Sequence, residues 1–356
     1  MRMLKITVFV FIAVFNGFSQ IPPGYYEPAT GLSGTALQSA LHNIIKNHTT
    51  VSYTTLFTYF QSTDANAGNV VWDMYSDIPG GTPPYVYHYN SGDECGNYGS
   101  EGDCYNREHS WPKSWFGGEV LPMYTDLFHL YPTDGYVNNR RDNYPYGEVS
   151  TATWTSLNNS KLGVSGTAGY SGTVFEPIDD YKGDFARTCF YMSTRYFTED
   201  SGWPGSAMAD GSQLKPWALQ MMLKWSGQDP ISQKEIDRNN AVYLIQNNRN
   251  PFIDHPEFVN EIWGYPVGIK NENRKEYRLA IYPNPASDIC KLILPAGLRD
   301  GPVELLLISA TGVKFVPDIS KDGNSLIVNV QHLSNGIYFL VATGISATYH
   351  AMLIKE

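Results

Sequence analysis

Residues 268–278, Gly-Ile-Lys-Asn-Glu-Asn-Arg-Lys-Glu-Tyr-Arg, form a polar run without apolar periodicity, and the chain changes character across it. Before the run the sequence is rich in Tyr, Trp and Asn; after it, short apolar runs alternate with Gly, Asn and Asp turns. A chain of 356 residues is long enough for two cores, so this run reads as a linker. The fold class expected is α+β: a mixed, helix-rich domain over 20–267 and a small all-β sandwich over 279–356. Six tail segments, 279–282, 289–294, 303–308, 325–330, 337–343 and 347–354, have the length and turn spacing of strands.

Residues 1–19 carry the marks of an export signal. Arg2 and Lys5 precede an apolar run at 6–18, and Gly17 and Ser19 sit where cleavage after Ser19 requires small residues. That run is shorter than the roughly 20 residues of a spanning helix, and no later stretch reaches that length. The mature protein is expected to leave through the periplasm, without a membrane span and as a monomer. Cys95 and Cys104 bracket a Gly-rich loop, a spacing that favours a disulfide in an oxidising compartment, with free thiols or a metal pair as the alternatives. Cys189 and Cys290 lie in apolar surroundings and read as buried.

Within the first domain, Leu37, Leu41, Ile44 and Ile45 give a helix over 35–47, with Ser33 or Thr35 as cap. Residues 69–89 read as two strands or extended segments around a Pro/Gly turn. The run 127–132 ends at Pro132, after which Thr133 can cap a helix through Arg141 that carries Asn138. A buried helix follows over 185–196, with Arg187 and Arg195 on other faces, then an amphipathic one over 214–225. Ser232 and Glu235 form a capping box for a third.

The chemistry concentrates in Asn106-Arg107-Glu108-His109-Ser110-Trp111-Pro112-Lys113-Ser114-Trp115. Adjacent strand residues face opposite ways, so Glu108 and His109 reach one site only at a strand end or bend, which Pro112 and the Gly-rich loop supply. Further on, Asn138 offers an amide oxygen to a hard cation, and Arg141 and Arg187 offer guanidinium groups to phosphate. A base, a hard-ligand pair and cations are the parts that metal-assisted phosphodiester hydrolysis needs. Arg107 and Arg140 read as structural or rim charges and His129 as a core histidine. Residues 20–267 carry 14 Lys or Arg against 27 Asp or Glu, a net −13, so no basic stripe exists to bind nucleic acid tightly. Affinity has to come from a local cationic cleft and a metal.

The run from Gly102 to Phe116 closely resembles the bacterial endonuclease I family, secreted or periplasmic nucleases of the ββα-metal (His-Me finger) superfamily. The likeness continues in order through Asp126-Leu127, Leu130-Tyr131-Pro132, Val137-Asn138, Arg141 and Asn143, then Ala186-Arg187-Thr188 and Asn248-Arg249-Asn250-Pro251-Phe252. The resemblance implies His109 as general base, Glu108 and Asn138 as metal ligands, and Arg187 as a phosphate contact. It implies one Mg²⁺-type ion, with Ca²⁺ or Mn²⁺ as other candidates, and DNA, and often RNA, as substrate. Two departures stand out: Tyr124 holds a position that is acidic in some relatives, and the Cys-rich insert in which some carry a phosphate-binding Arg is absent. In the tail, Tyr282-Pro283-Asn284-Pro285-Ala286 and Leu333-Ser334-Asn335-Gly336-Ile337-Tyr338 resemble type IX secretion sorting domains, which implies that export machinery as a partner and a secreted or cell-surface location. The competing readings are a surface adhesin or carbohydrate-binding protein, and a hydrolase of some other phosphodiester.

Overall fold

The computed structural model describes residues 21–264, 277–294, 298, 303–309, 313–343 and 348–356. The expected signal at 1–19, and the linker apart from Tyr277 and Arg278, lie outside the described residues. The chain divides into two compact units, Met1–Tyr265 and Pro266–Glu356, each around its own apolar core.

The first unit opens with helix α1 (Gly34–Ile45), whose Leu37, Leu41 and Ile45 are fully buried along one face, and α2 (Leu56–Thr63). Short strands β1 (Ala65–Asn66) and β2 (Val70–Val71) pair antiparallel. The two extended segments expected over 69–89 are mostly irregular. Only Val70–Val71 forms a strand, and Val70 bridges to His88. Asp73 explains this locally: its side chain accepts from the Tyr75 amide at 2.8 Å and its carbonyl accepts from Ser76 and Asp77, so the backbone turns and cannot extend.

The centre of the unit is a strand–strand–helix element. β3 (Tyr105–His109) pairs antiparallel with β4 (Leu130–Asp134), from Tyr105 opposite Asp134 to His109 opposite Leu130, and α3 (Gly135–Arg141) follows at once. The cap of α3 is Asp134, which accepts from the Val137 amide at 2.8 Å, and not Thr133. Thr133 remains in the strand because β4 continues through Pro132. A two-stranded ribbon leaves one edge of β4 unpaired, where a missing N–H costs nothing.

A three-stranded antiparallel sheet follows: β5 (Val149–Thr155), β6 (Lys161–Ser165) and β7 (Thr173–Glu176). Then come α4 (Lys182–Arg195), the hairpin β8 (Ala209–Asp210) and β9 (Gln213–Leu214), α5 (Pro216–Gln228), α6 (Gln233–Gln246), α7 (Pro251–Asp254) and α8 (Glu257–Trp263). Both halves of the Ser232–Glu235 capping box are present at the start of α6. Every residue of α4 is buried, so Arg187 and Arg195 do not occupy free faces; Arg187 is ion-paired to the buried Glu235 and Arg195 to the exposed Glu199.

In the second unit β10 (Tyr277–Arg278) joins a sheet ordered β10-β18-β17-β13-β14, with β13 (Glu304–Ser309), β14 (Lys314–Phe315), β17 (Gly336–Thr343) and β18 (Thr348–Lys355). The other sheet is ordered β11-β12-β16-β15, with β11 (Ala280–Tyr282), β12 (Ile289–Ile293), β15 (Ile319–Asp322) and β16 (Ser325–Asn329). Cys290, Leu292 and Val328 of one sheet share a core with Leu307, Leu340 and Leu353 of the other, the sandwich that the sequence predicts. The strands the sequence did not mark, β10, β14 and β15, all lie at sheet edges. No residue of β15 is buried, so it carries no apolar alternation to read.

Candidate active site

His109 is the last residue of β3, and the chain turns at Pro112 into a 3₁₀ turn over Lys113–Phe116. The strand end therefore brings Glu108 and His109 to one cleft of about 260 Å³, whose lining also includes Arg107, Lys113, Asn138 and Arg141. A larger hollow of about 530 Å³ beside Trp217 and Met221 contains none of the site residues the sequence predicts.

Glu108 is only 2% exposed. Its Oε1 accepts from the Tyr75 hydroxyl at 2.9 Å and lies 3.1 Å from Arg141 Nη1, while Oε2 has no protein partner among the described residues. Burial pushes the carboxyl above its ordinary range, opposed by the Arg141 charge and the Tyr75 hydrogen bond.

His109 Nε2 lies 3.0 Å from the Tyr124 carbonyl oxygen. A carbonyl only accepts, so Nε2 carries the proton of the neutral ring and Nδ1 keeps its lone pair. Nδ1 has no protein partner among the described residues. The ring lies nearly parallel to Tyr124, 11° apart at 5.3 Å, and to Tyr53 at 6.3 Å. Burial, helped by the neighbouring His129, Lys113 and Arg107, pushes the imidazole down to about 3, against the pull of the Tyr124 carbonyl.

Asn138 stands on α3 and donates through Nδ2 to Asn106 Oδ1 at 2.7 Å and to the Arg107 carbonyl at 3.4 Å. Both contacts are acceptors, which leaves Oδ1 available. Three atoms are thus uncommitted in one cleft: a carboxylate oxygen, an amide oxygen and an imidazole nitrogen.

The two arginines assigned to phosphate are placed otherwise. Arg141 lines the cleft but is 1% exposed. Its Nη1 reaches Glu108 and donates to the His109 carbonyl at 3.0 Å, and Nη2 donates to the Ser110 carbonyl at 2.6 Å. It clamps the end of β3 from below. Arg187 does not line the cleft: Nε and Nη2 meet the two oxygens of Glu235 at 2.5 and 2.9 Å, and Nη1 donates to the Asp229 carbonyl at 2.8 Å. Its guanidinium ties α4 to α6. His129 is buried, with Nε2 2.7 Å from the Met123 carbonyl, as a core histidine should be.

The sequence reading missed Tyr75 and the Tyr124 carbonyl. Tyr75 is one of 25 tyrosines and carries no local signal; a backbone carbonyl carries none at all. Cys95 and Cys104 form a disulfide, with Cα atoms 5.7 Å apart. The Cys104 carbonyl accepts from the Gly135 amide at 2.9 Å, so this staple joins the loop before β3 to the start of α3. Cys189 and Cys290 are free and buried.

Residues 33–257 match the family described as Endonuclease I. The chain belongs to the endonuclease I family. It is 40% identical over 249 residues to a protein named extracellular ribonuclease from Bacillus amyloliquefaciens, covering 67% of this chain and 78% of that one. The extracellular ribonuclease of Bacillus subtilis (strain 168) is 38% identical over the same shares. A periplasmic deoxyribonuclease of Aeromonas hydrophila is 26% identical over 137 residues, 38% of this chain and 50% of that one. Residues 280–356 match a family described as a secretion system C-terminal sorting domain, the type IX tail. This endonuclease I family member is therefore a nuclease carrying a sorting tail, secreted or displayed at the cell surface. No helix among its described residues is long and apolar enough to cross a membrane.

Proposed function

We propose that the protein is a metal-dependent endonuclease of low sequence preference that hydrolyses DNA and RNA outside the cell, with His109 as general base and Glu108 and Asn138 as the protein ligands of one Mg²⁺-type ion. The observation that carries this reading is the set of three uncommitted atoms, Glu108 Oε2, Asn138 Oδ1 and His109 Nδ1, on one cleft at the strand–strand–helix junction.

The donor set fits a hard cation. Among the described residues no three His, Cys, Asp or Glu side chains gather as a metal cage. One carboxylate and one amide oxygen suit Mg²⁺, which keeps several waters and takes up phosphate oxygens; Ca²⁺ and Mn²⁺ accept the same donors. When bound, such an ion supplies charge neutralisation at the scissile phosphate and the leaving oxygen. The chain's own residues do the rest. The Tyr124 carbonyl fixes the His109 tautomer, and Nδ1 takes a proton from the attacking water. Tyr75 and Arg141 hold Oε1 of Glu108 and so orient Oε2. Arg141 also fixes the carbonyls of His109 and Ser110, which sets the strand end in place.

RNA enters beside DNA because the two relatives named ribonuclease match more of the chain, at higher identity, than the one named deoxyribonuclease. Family membership displaces the adhesin reading. The test is digestion of supercoiled plasmid and of a structured RNA, with EDTA, with Mg²⁺ restored, and with His109→Ala. Cleavage should stop with EDTA and return with Mg²⁺, and His109→Ala should lose on the order of 10²–10⁴-fold in rate. Near-normal cleavage by His109→Ala would remove the mechanism.

A further inference from the structure

The described part of the first unit contains seven arginines. Arg141, Arg187, Arg195, Arg238 and Arg249 each lie within 3.1 Å of a carboxylate oxygen. Arg107 and Arg140 have no carboxylate partner among the described residues. Arg140 is exposed, donates to the Tyr136 hydroxyl and is solvated. Arg107 is half-buried in the wall of the cleft, next in sequence to Glu108.

The Arg107 guanidinium is held but not satisfied. Its Cζ sits 3.9 Å from the centre of the Tyr53 ring and 4.5 Å from that of Phe57, and Nη1 donates to the Tyr53 carbonyl at 3.1 Å. Nε is buried without a partner, and Nη2 has none among the described residues. Aromatic packing fixes the plane of the fork in advance, so little side-chain freedom remains to be lost on binding. The other lysine or arginine charge on the cleft, apart from the committed Arg141, is Lys113, whose ammonium meets Glu119 at 3.1 Å on the exposed rim. A preset cation with unspent donors, in a unit of net acidic charge, matches a phosphate oxygen.

We propose that Arg107 is the phosphate-gripping arginine of this cleft, holding a nonbridging oxygen of the nucleic-acid backbone while His109, Glu108 and Asn138 act at the scissile bond. This rests on the nuclease mechanism above and deepens it. It gives Arg107 the role that the sequence assigned to Arg141 and Arg187.

The experiment compares full-length wild type, Arg107→Gln and Arg107→Lys in plasmid cleavage, and the same substitutions in a His109→Ala background for binding to a labelled DNA duplex across a salt series. Arg107→Gln keeps most of the packing against Tyr53 and Phe57. It should lose about ten-fold or more in kcat/KM, chiefly through KM, with the Mg²⁺ requirement unchanged. The slope of log Kd against log salt should fall by about one phosphate contact. Arg107→Lys should keep that slope and recover part of kcat/KM. Wild-type kcat/KM and salt slope in Arg107→Gln overturn the proposal and leave the nuclease mechanism standing. So does a loss that comes with a lowered melting temperature and an unchanged slope. Wild type that binds duplex through Arg107 yet does not cut with Mg²⁺ supports the grip and overturns the mechanism.

Discussion

Glu108 and His109 are chain neighbours, and burial moves their proton affinities in opposite directions, each toward the neutral form. For His109, the proposed base, this keeps the ring unprotonated, since an imidazole pushed down to about 3 gains its proton only as pH falls through that value, but it also weakens the ring as a proton acceptor. For Glu108 it hinders, because the carboxylate has to be charged to hold a cation, and its raised pKa means it takes up a proton earlier as pH falls. The acid limb of kcat/KM is therefore expected to report Glu108. Since proton and cation compete for the same oxygen, a higher Mg²⁺ concentration should move that limb to lower pH. Rate profiles from about pH 4 to 8 at two Mg²⁺ concentrations check this, and a limb near 6.5 that ignores Mg²⁺ would assign the titration to an ordinary imidazole instead. The placement of Glu108 and His109, proposed as ligand and base, on one cleft was legible because the two sit side by side in the chain ahead of a bend. Tyr75, 33 positions before Glu108, became visible only when the fold closed.

At the scale of elements, β3, β4 and α3 place the atoms proposed to act at the phosphate, and the Cys95–Cys104 disulfide braces the start of β3. A closed loop of this size is worth about 2.5–3 kcal/mol by unfolded-chain entropy. In a unit of this length that corresponds to roughly 5–10 °C of melting temperature. Reduction should lower the melting temperature by that order and reduce cleavage at temperatures near the new transition, since Tyr105 and the α3 start lose their tether. Calorimetry and plasmid nicking with and without reductant measure both; an unchanged transition would show that β3 is held without the bond. Much of this layer could be read in the sequence: α1, the α6 capping box and the helix bearing Asn138 stand where spacing puts them. The cap of α3 moved by one residue because Thr133 and Asp134 are both good caps, and β4 runs on to the pairing of Asp134 with Tyr105, so the helix starts after Asp134 and not after Thr133. The segment 69–89 failed as strands because Asp73 captures backbone amides, a local competition that apolar alternation does not record.

At the scale of the whole first unit, the arginines show what a single sequence cannot give. The chemistry of Arg187 fits phosphate as well as it fits a buried carboxylate; the partner decides, and the partner Glu235 is 48 positions away. With α4 buried on every side, an arginine there is tolerable only because Glu235 and the Asp229 carbonyl meet it, and because Asp184 stands 3.7 Å off. Removing one member of such a pair leaves the other charge uncompensated, a cost of about 3–5 kcal/mol. Arg187→Met should therefore lower the melting temperature by on the order of 10 °C. At temperatures where the variant stays folded, kcat/KM and the salt dependence of nucleic-acid binding should remain close to wild type, because Arg187 is outside the cleft. Thermal unfolding and cleavage kinetics on the same preparation separate the two roles. A variant with an unaltered transition and a collapsed kcat/KM would return Arg187 to the substrate and require the cleft to open toward α4 when nucleic acid binds.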